Sequence, residues 1–303
     1  MNTWNILYRG SLSSCNYECG YCPFAKTANT RSELQQDEQE LERFTAWVAA
    51  QEQRIGILIT PWGEALVHSY YRRAMTRLSH LLQVYRISVQ TNLSAPTDDF
   101  TEANRGTLAL WTTFHPSQTT LSRFVAQCRE LDAVGIRYSV GVVGLREHFA
   151  AIEELRQSLR PQVYLWVNAY KSKPDYYQPG ELERLLTVDP YFQWNLPHYE
   201  SIGTPCSAGE TTFTVDGAGN MRRCHFLPEI IGNIYQPNFE GALKPRLCSA
   251  TACGCHIGYI HRPVLKMHEL YGVGLLERIP ARWPEINLHF GLTKLAESSG
   301  SPE

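Results

Sequence analysis

The sequence predicts an α/β fold, a partial (β/α)6 TIM-like barrel followed by a small cysteine-rich extension made of a β-hairpin and a helix. Short apolar runs alternate with amphipathic stretches through the first two thirds of the chain, which indicates a parallel sheet built from βα units. Six such units precede residue 170. The extension is indicated by the cysteines, because five of the nine fall between residues 206 and 255.

The elements of the barrel follow one another in order. The first apolar run, residues 5–8, leads the chain into a loop that contains three cysteines. A helix is predicted next, with Ser32 and Gln35 as its capping box. The clearest helix spans residues 121–134, where Cys128 lies on the apolar face and is predicted to be a buried core thiol. The predicted strands are residues 5–8, 55–60, 86–91, 107–114, 138–143 and 163–167, and the other predicted helices are residues 71–82 and 148–159.

Composition excludes several classes of function. The 303 residues include 28 Lys and Arg against 30 Asp and Glu, so the net charge of −2 lacks the basic excess of a nucleic-acid-binding protein. No secretory signal opens the sequence, and no apolar run is long enough to span a membrane. Nine cysteines without an export signal indicate metal ligation rather than disulfides. We therefore expect a cytoplasmic metal-binding protein that binds neither nucleic acid nor a membrane.

Cys15, Cys19 and Cys22 form a C-x3-C-x2-C spacing in the loop after the first strand. Iron–sulfur clusters are held by Cys thiolates, and a [4Fe–4S] cube takes four ligands, so three cysteines leave one iron open. A zinc knuckle is the alternative, but a closed zinc site takes four ligands, usually from paired C-x2-C units. Since the loop follows a parallel strand, it lies at the carboxyl ends of the strands, where barrels of this kind carry their chemistry.

With Tyr21 directly before Cys22, this loop resembles the cluster loop of the radical S-adenosylmethionine (radical SAM) enzymes. The resemblance implies a barrel of the radical SAM type over about the first two thirds of the chain. It also implies that Cys15, Cys19 and Cys22 hold a catalytic [4Fe–4S] cluster, that SAM fills the open iron site, and that Tyr21 belongs to the cofactor site.

Residues at other strand ends match elements that contact SAM in this family. Gly63 and Glu64 resemble the glycine-glycine-glutamate element, with Trp62 in place of the first glycine. Gly144 and Glu147 resemble the stretch that lies beside the adenine. An ordinary turn with a surface glutamate is the alternative for Glu64, and a solvated side chain is the alternative for Glu147. The remaining candidate contacts are Gln90, Asn92, His115 and Asn168, with Lys171 close behind the last.

A second cysteine group begins at Cys206. Two short strands, residues 213–215 and 221–224, are predicted to form a hairpin with its turn at Asp216-Gly217, which makes Cys206 and Cys224 neighbours. The group resembles a shortened form of the auxiliary-cluster extension called SPASM or twitch, and the resemblance implies a second [4Fe–4S] cluster. A zinc site made by the same thiols is the alternative. The candidate ligands are Cys206 and Cys224 together with two of Cys248, Cys253 and Cys255.

The sequence thus predicts a radical SAM enzyme with its core at residues 1–200, an auxiliary-cluster domain at 201–290 and a disordered tail at 291–303. Its reduced cluster would cleave SAM, and the resulting 5′-deoxyadenosyl radical would abstract hydrogen from a small-molecule or peptide substrate. The short segment before Trp4 favours substrates other than leader-guided peptides. An electron donor such as a flavodoxin or ferredoxin is the expected partner. The alternative is a non-catalytic zinc-binding or regulatory module.

Overall fold

A nine-stranded sheet lies at the centre of the computed structural model, which describes residues 3–24 and 27–283. Six strands pair in parallel and in sequence order, so all their carboxyl ends meet at one edge of the sheet. This confirms the predicted parallel α/β architecture. The sheet is open and not closed into a barrel, because β6 at one of its borders pairs with no further described strand. The strands are β1 (Thr3–Arg9), β2 (Arg54–Ile59), β3 (Val84–Thr91), β4 (Leu108–Phe114), β5 (Arg137–Val143) and β6 (Leu165–Asn168).

The later strands extend the sheet on the far side of β1. Short strands β7 (Tyr199–Glu200) and β8 (Pro205–Cys206) precede β9 (Thr212–Asp216), β10 (Asn220–Arg222) and β11 (Ile230–Asn233). Strand β9 pairs in parallel with β1, and β10 pairs antiparallel with both β9 and β11. The predicted hairpin is therefore present, with a loop at residues 217–219 in which Gly219 has a φ of 85°. Two further short strands, β12 (Arg246–Leu247) and β13 (Ala252–Cys253), pair with β8 and β7.

Five helices cover one face of the sheet. Their buried apolar side chains share a core with alternate strand residues such as Ile6, Tyr8 and Ile57, because successive residues of a strand point to opposite faces. Cys128 is 1% exposed in this core, which confirms its predicted burial. The helices are α1 (Arg31–Ala49), α2 (Ser69–Ser79), α3 (Leu121–Val134), α4 (Phe149–Ser158) and α5 (Pro179–Val188).

The opposite face of the sheet is covered by the C-terminal segment 256–283, which includes the short helices α6 (His256–Tyr259) and α7 (Met267–Tyr271). Leu7, Leu58 and Trp111 of the strands are buried together with apolar residues of this segment. Burial of apolar surface is the dominant favourable contribution to folding, so the segment is an integral part of the core.

A buried ion pair fixes the end of this segment. Glu277 is fully buried and lies 3.1 Å from Arg86 Nε and 3.0 Å from Arg137 Nη2. The Ser139 hydroxyl also donates to the Glu277 carbonyl oxygen at 2.6 Å. The next residue, Arg278, is buried with its guanidinium 4.2 Å from the centre of the Trp166 ring. The strands and the segment are therefore joined by charge as well as by apolar contact.

The predicted capping box of α1 was wrong. Thr30 is the N-cap, because its side chain accepts a hydrogen bond from Glu33 N at 3.3 Å while Glu33 Oε2 accepts from Thr30 N at 2.6 Å. The predicted pair, Ser32 and Gln35, lies inside the helix. The capping-box pattern occurs twice in the sequence, at Thr30 with Glu33 and at Ser32 with Gln35. Apolar periodicity alone does not distinguish which of the two pairs caps the helix.

Two other helices also differ from the prediction. Helix α2 spans Ser69–Ser79, so the predicted stretch 71–82 began late and ended late. Helix α5 (Pro179–Val188) was not predicted, although Pro179 at its start and the capping box of Gln178 and Glu181 are recognisable signals.

The division of the chain at residue 200 remains a prediction, and β9–β11 continue the sheet of the preceding strands. The predicted tail at residues 291–303 lies outside the described residues. Within the described ranges, the structure has no helix of the length and apolar character needed to cross a membrane.

We predict that Glu277→Ala strongly destabilises the protein, because it leaves the charge of Arg86 buried without a partner. Removing one member of a buried ion pair typically costs about 3–5 kcal/mol. The measurement is the melting temperature and the denaturant midpoint of the variant. Glu269→Ala is the matched control, since Glu269 is 61% exposed and lies 4.0 Å from Lys266. Equal stability of the two variants would contradict this account of the segment.

Candidate functional site

The loop after β1 carries three thiols at the carboxyl edge of the sheet. Cys19 is buried, and Cys15 and Cys22 are partly exposed. Cys22 N donates to Cys19 O at 3.1 Å, which turns the loop between these two residues. Burial raises the pKa of Cys15, and the nearby charges of Cys19 and Cys22 raise it further. Three thiols in one loop are a donor set suited to a shared cationic centre.

Two side chains that sequence reasoning missed hold this loop. Asn29 Oδ1 accepts hydrogen bonds from Ser13 N and Ser14 N, each at 2.8 Å. Asp37 of α1 is buried, and its Oδ1 accepts from Leu12 N at 3.0 Å. Neither residue belongs to a recognisable motif, since an acidic residue within a polar helical stretch is ordinarily solvated.

The turn after β2 packs directly on the thiol loop. Gly63 N donates to Leu12 O at 3.3 Å, and Glu64 N donates to Ser14 O at 3.0 Å. A Cβ atom at Gly63 would lie 2.0 Å from Ser14 O, so the contact has room for glycine alone. The structure thus gives Gly63 a packing role in support of the loop.

Glu64 is a buried acceptor. It is 4% exposed, which excludes the alternative of a surface glutamate. Its carboxylate accepts from Asn92 N and Thr91 Oγ1 at 2.6 Å each, and from Leu66 N at 3.0 Å. Burial raises the pKa of Glu64, and these donors lower it. Glu64 therefore ties the end of β3 to the turn after β2.

Asn92 and His115 bring the ends of β3 and β4 to the thiols. Asn92 Nδ2 lies 3.8 Å from Cys15 Sγ. His115 Nδ1 lies 3.4 Å from Cys19 Sγ and 2.8 Å from the Tyr21 hydroxyl. Burial lowers the pKa of His115 to about 4, so the ring is neutral at pH 7. Three of the predicted site residues, Asn92, His115 and Tyr21, are thus gathered around the thiol loop.

The other four predicted contacts lie along the same edge of the sheet. Gln90 Oε1 accepts a hydrogen bond from Thr60 Oγ1. Gly144 packs under Tyr177, whose hydroxyl donates to Gly144 O at 2.8 Å. Glu147 and Asn168 are exposed, which for Glu147 agrees with the solvated alternative. Their predicted roles toward SAM remain predictions.

The second thiol group surrounds one small cavity. Four cysteines line it, and Cys255 does not. Burial raises the pKa of Cys224 to about 11 and of Cys253 to about 12, and charges on the neighbouring thiols raise both further. Cys206 and Cys224 lie together, as the hairpin predicted. The four lining cysteines are Cys206, Cys224, Cys248 and Cys253.

Arg223 holds the walls of this cavity together. The buried guanidinium donates to Ala208 O at 3.2 Å, to Arg246 O at 3.0 Å and to Leu247 O. Gly258 leaves space for one of the thiols, since a Cβ there would lie 2.8 Å from Cys253 Sγ. The arginine directly before Cys224 is a signal that the sequence analysis did not use.

Cys255 occupies a different position. The residue as a whole is exposed, and burial of its thiol raises the pKa. The charges of Arg278, Lys171 and Arg9 lower its pKa. This thiol therefore faces cationic side chains and not the cavity lined by the other four.

An aromatic contact joins the two thiol groups. Trp62 packs against Phe24, two residues beyond Cys22, with ring centres 4.5 Å apart. On its other side it approaches His225, the neighbour of Cys224, at 5.9 Å. The tryptophan that replaces the expected glycine thus bridges the two halves of the site.

The thiol spacing bears on what could be bound. Among residues 3–24 and 27–283, no three His, Cys, Asp or Glu side chains converge closely enough to hold one metal ion. A zinc ion gathers its ligands within about 2.0–2.3 Å. A cubic cluster spreads its ligand sulfurs over its corners, so thiols can hold a cluster without converging on a single point.

Comparison with known proteins shows the fold. No protein-family model matches the sequence, and no curated protein matches it. Among solved structures, anSMEcpe with bound AdoMet and a Cp18Cys peptide is similar, with a TM-score of 0.52, 14% identity and coverage of 98% of both chains. SuiB of Streptococcus suis bound to its precursor peptide SuiA has a TM-score of 0.50 and 13% identity, with coverage of 79% of this chain and 66% of SuiB. These neighbours are radical SAM enzymes, and at such identities the likeness establishes a shared fold.

We predict that Gly63→Ala disrupts the thiol loop, because the added methyl group would meet the backbone oxygen of Ser14. Overpacking of this kind typically costs about 1–3 kcal/mol, which a lowered melting temperature would report. Gly20→Ala is the matched control within the loop, since no atom lies within 4 Å of a Cβ placed there. If both variants had the melting temperature of the wild type, the close approach of the two backbones would be contradicted.

Proposed function

We propose that this protein is a radical SAM enzyme. The observation that carries the proposal is the convergence of Cys15, Cys19 and Cys22 with Asn92 and His115 at the carboxyl edge of a parallel sheet. Ligand sites in barrels of parallel strands lie at this edge. The likeness of fold to radical SAM enzymes with bound AdoMet supports the same proposal.

In this proposal Cys15, Cys19 and Cys22 hold a [4Fe–4S] cluster with one iron left for SAM. When bound and reduced, the cluster supplies the electron that cleaves SAM to methionine and a 5′-deoxyadenosyl radical, which abstracts hydrogen from the substrate. The chain's own side chains orient these groups and restrict the entry of water. Asn92 donates toward Cys15 Sγ, and neutral His115 fixes the positions of Cys19 and Tyr21.

The SAM contacts are assigned to the strand ends around that loop. Glu64 already accepts three hydrogen bonds, one of them from Asn92 N, which places its carboxylate beside Asn92. We assign the methionine end of SAM to the side of Glu64 and Asn92. Gly63 contributes through its contact with Ser14. The remaining proposed contacts are Tyr21, Gln90, His115, Gly144, Glu147 and Asn168.

A second [4Fe–4S] cluster is assigned to Cys206, Cys224, Cys248 and Cys253, because these four thiols line one cavity. All four places on the cube are then taken by protein ligands, which suits electron transfer rather than substrate docking. This assignment defines the domain at residues 201–290 as a shortened SPASM or twitch domain. Cys255 is left outside both clusters.

The substrate is proposed to be a peptide or a small molecule, and the electron donor a flavodoxin or ferredoxin. Both anSMEcpe and SuiB have been seen with bound peptides, which supports the peptide class. A cytoplasmic location is part of the proposal, since cysteines that serve as metal ligands persist as thiols in reducing compartments.

We predict that Cys19→Ala abolishes reductive cleavage of SAM, because two thiolates cannot hold a cluster with one open iron. The measurement is 5′-deoxyadenosine formed after anaerobic reconstitution, reduction and addition of SAM. Cys128→Ala is the matched control, since Cys128 is a thiol of the helix-covered core, and this variant should still form 5′-deoxyadenosine. Wild-type product formation by Cys19→Ala would overturn the proposed function.

Iron content tests the assignment of the two thiol groups. The wild type should bind about eight irons, and a variant with alanine at Cys15, Cys19 and Cys22 about four, as two [4Fe–4S] clusters require. In that background Cys253→Ala should lose the remaining iron, whereas Cys255→Ala should retain it. Zinc in place of iron would restore the zinc alternative for the second group, and iron loss with Cys255→Ala would make Cys255 a ligand.

A further inference from the structure

Arg9 has buried donors without acceptors. It is the last residue of β1, and it lies on the face of the sheet opposite helices α1–α5, because Tyr8 points toward them. Its Nη2 lies 3.5 Å from Thr60 Oγ1. Its Nε and Nη1 atoms are buried and have no hydrogen-bond partner among the described residues. Buried donors are nearly always paired, so these two atoms point to an acceptor that the chain itself does not supply.

Arg9 lies between the two thiol groups. Its guanidinium is stacked 3.9 Å from the ring centre of Trp62, which bridges Phe24 and His225. Burial lowers the pKa of Arg9 to about 10, and the charge of Cys255 raises it. Geometry places Arg9 in the region of Cys255, because Trp62 approaches His225, and a Cβ atom at Gly258, three residues after Cys255, would lie 2.8 Å from the adjacent Phe226.

Lys171 reaches the same region from the end of β6. Its Nζ donates to Gly254 O at 2.5 Å, next to Cys255, and to Pro197 O at 3.2 Å. Within the described residues, neither Lys171 nor Arg9 forms an ion pair with an acidic side chain. The Lys171 ammonium is held by these two carbonyl oxygens, whereas Arg9 has two buried donors without an acceptor among the described residues.

We propose that Arg9 binds a carboxylate group of the substrate beside Cys255. The inference rests on the proposed function for the identity of its ligand as a substrate. A guanidinium recognises carboxylates through paired, charge-assisted hydrogen bonds. Within the described residues Arg9 has no acidic partner, so a carboxylate would supply both the negative charge and the acceptors that its buried donors lack. Trp62 fixes the plane of the guanidinium, so little side-chain freedom is lost on binding.

Thiol alkylation tests the site without a known substrate. Iodoacetate carries a carboxylate, and iodoacetamide is its neutral counterpart. The thiolate of Cys255 attacks the methylene carbon of either reagent and displaces iodide, so the ratio of the two rates cancels the fraction of thiol that is ionised. Reaction at Cys255 is followed by peptide mass spectrometry on the anaerobically reconstituted holoenzyme, in which the clusters protect the other exposed thiols.

The ratio of the iodoacetate rate to the iodoacetamide rate at Cys255 should fall about tenfold or more in Arg9→Gln, because a charge-assisted contact is lost. Arg9→Lys should retain part of the preference for iodoacetate, since lysine keeps the positive charge. Arg54→Gln is the matched control, because Arg54 also stacks on an aromatic ring, Tyr85 at 4.7 Å, but stands at the opposite end of the strands. An unchanged ratio in Arg9→Gln, or an equal fall in Arg54→Gln, would overturn the proposal.

The two proposals fail separately. If the protein bound no iron but the ratio still depended on Arg9, the carboxylate site would stand and the radical SAM function would fall. If iron and 5′-deoxyadenosine formation were normal but the ratio ignored Arg9, the reverse would hold, and the free donors of Arg9 would be bound to water.

Discussion

The site depends on a backbone contact in which the turn after β2 presses on the loop after β1. Gly63 and Glu64 donate to Leu12 and Ser14, and the absence of a side chain at Gly63 allows the two backbones to meet. From there the contacts run outward along the strand ends, because Glu64 holds Asn92, which in turn reaches Cys15. The thiol loop is thus positioned by hydrogen bonds between successive loops as well as by its own hydrogen bond from Cys22 N to Cys19 O.

The second thiol group is positioned by burial. The chain that carries Cys253 and Cys255 continues directly into segment 256–283, which fills the face of the sheet that helices α1–α5 leave uncovered. Glu277 locks that segment to two strands by a buried ion pair. The thiols therefore sit where the apolar segment begins, so the integrity of the core and the geometry of the second group are coupled.

Between the two groups lies a region with cations and aromatic rings. Arg9 is stacked on Trp62, and Lys171 is held by backbone carbonyls beside Cys255. Burying a cation without an anion is costly, so such an arrangement persists when a bound partner supplies the compensating charge. Cys255 is an exposed residue, so this region borders the solvent.

The sequence by itself determined the parallel sheet and the two thiol groups. Apolar periodicity and cysteine spacing are local signals that can be recognised without knowledge of the fold. The sequence analysis placed the cap of α1 at the wrong residue, because two overlapping capping patterns differ only in their hydrogen bonds. Four side chains of the site were not predicted at all: Asn29, Asp37, Arg9 and Arg223. The sequence also left open which two of three late cysteines complete the second group. The tertiary structure separated Cys255 from the other four thiols, because the direction of a side chain depends on residues distant in sequence that pack around it.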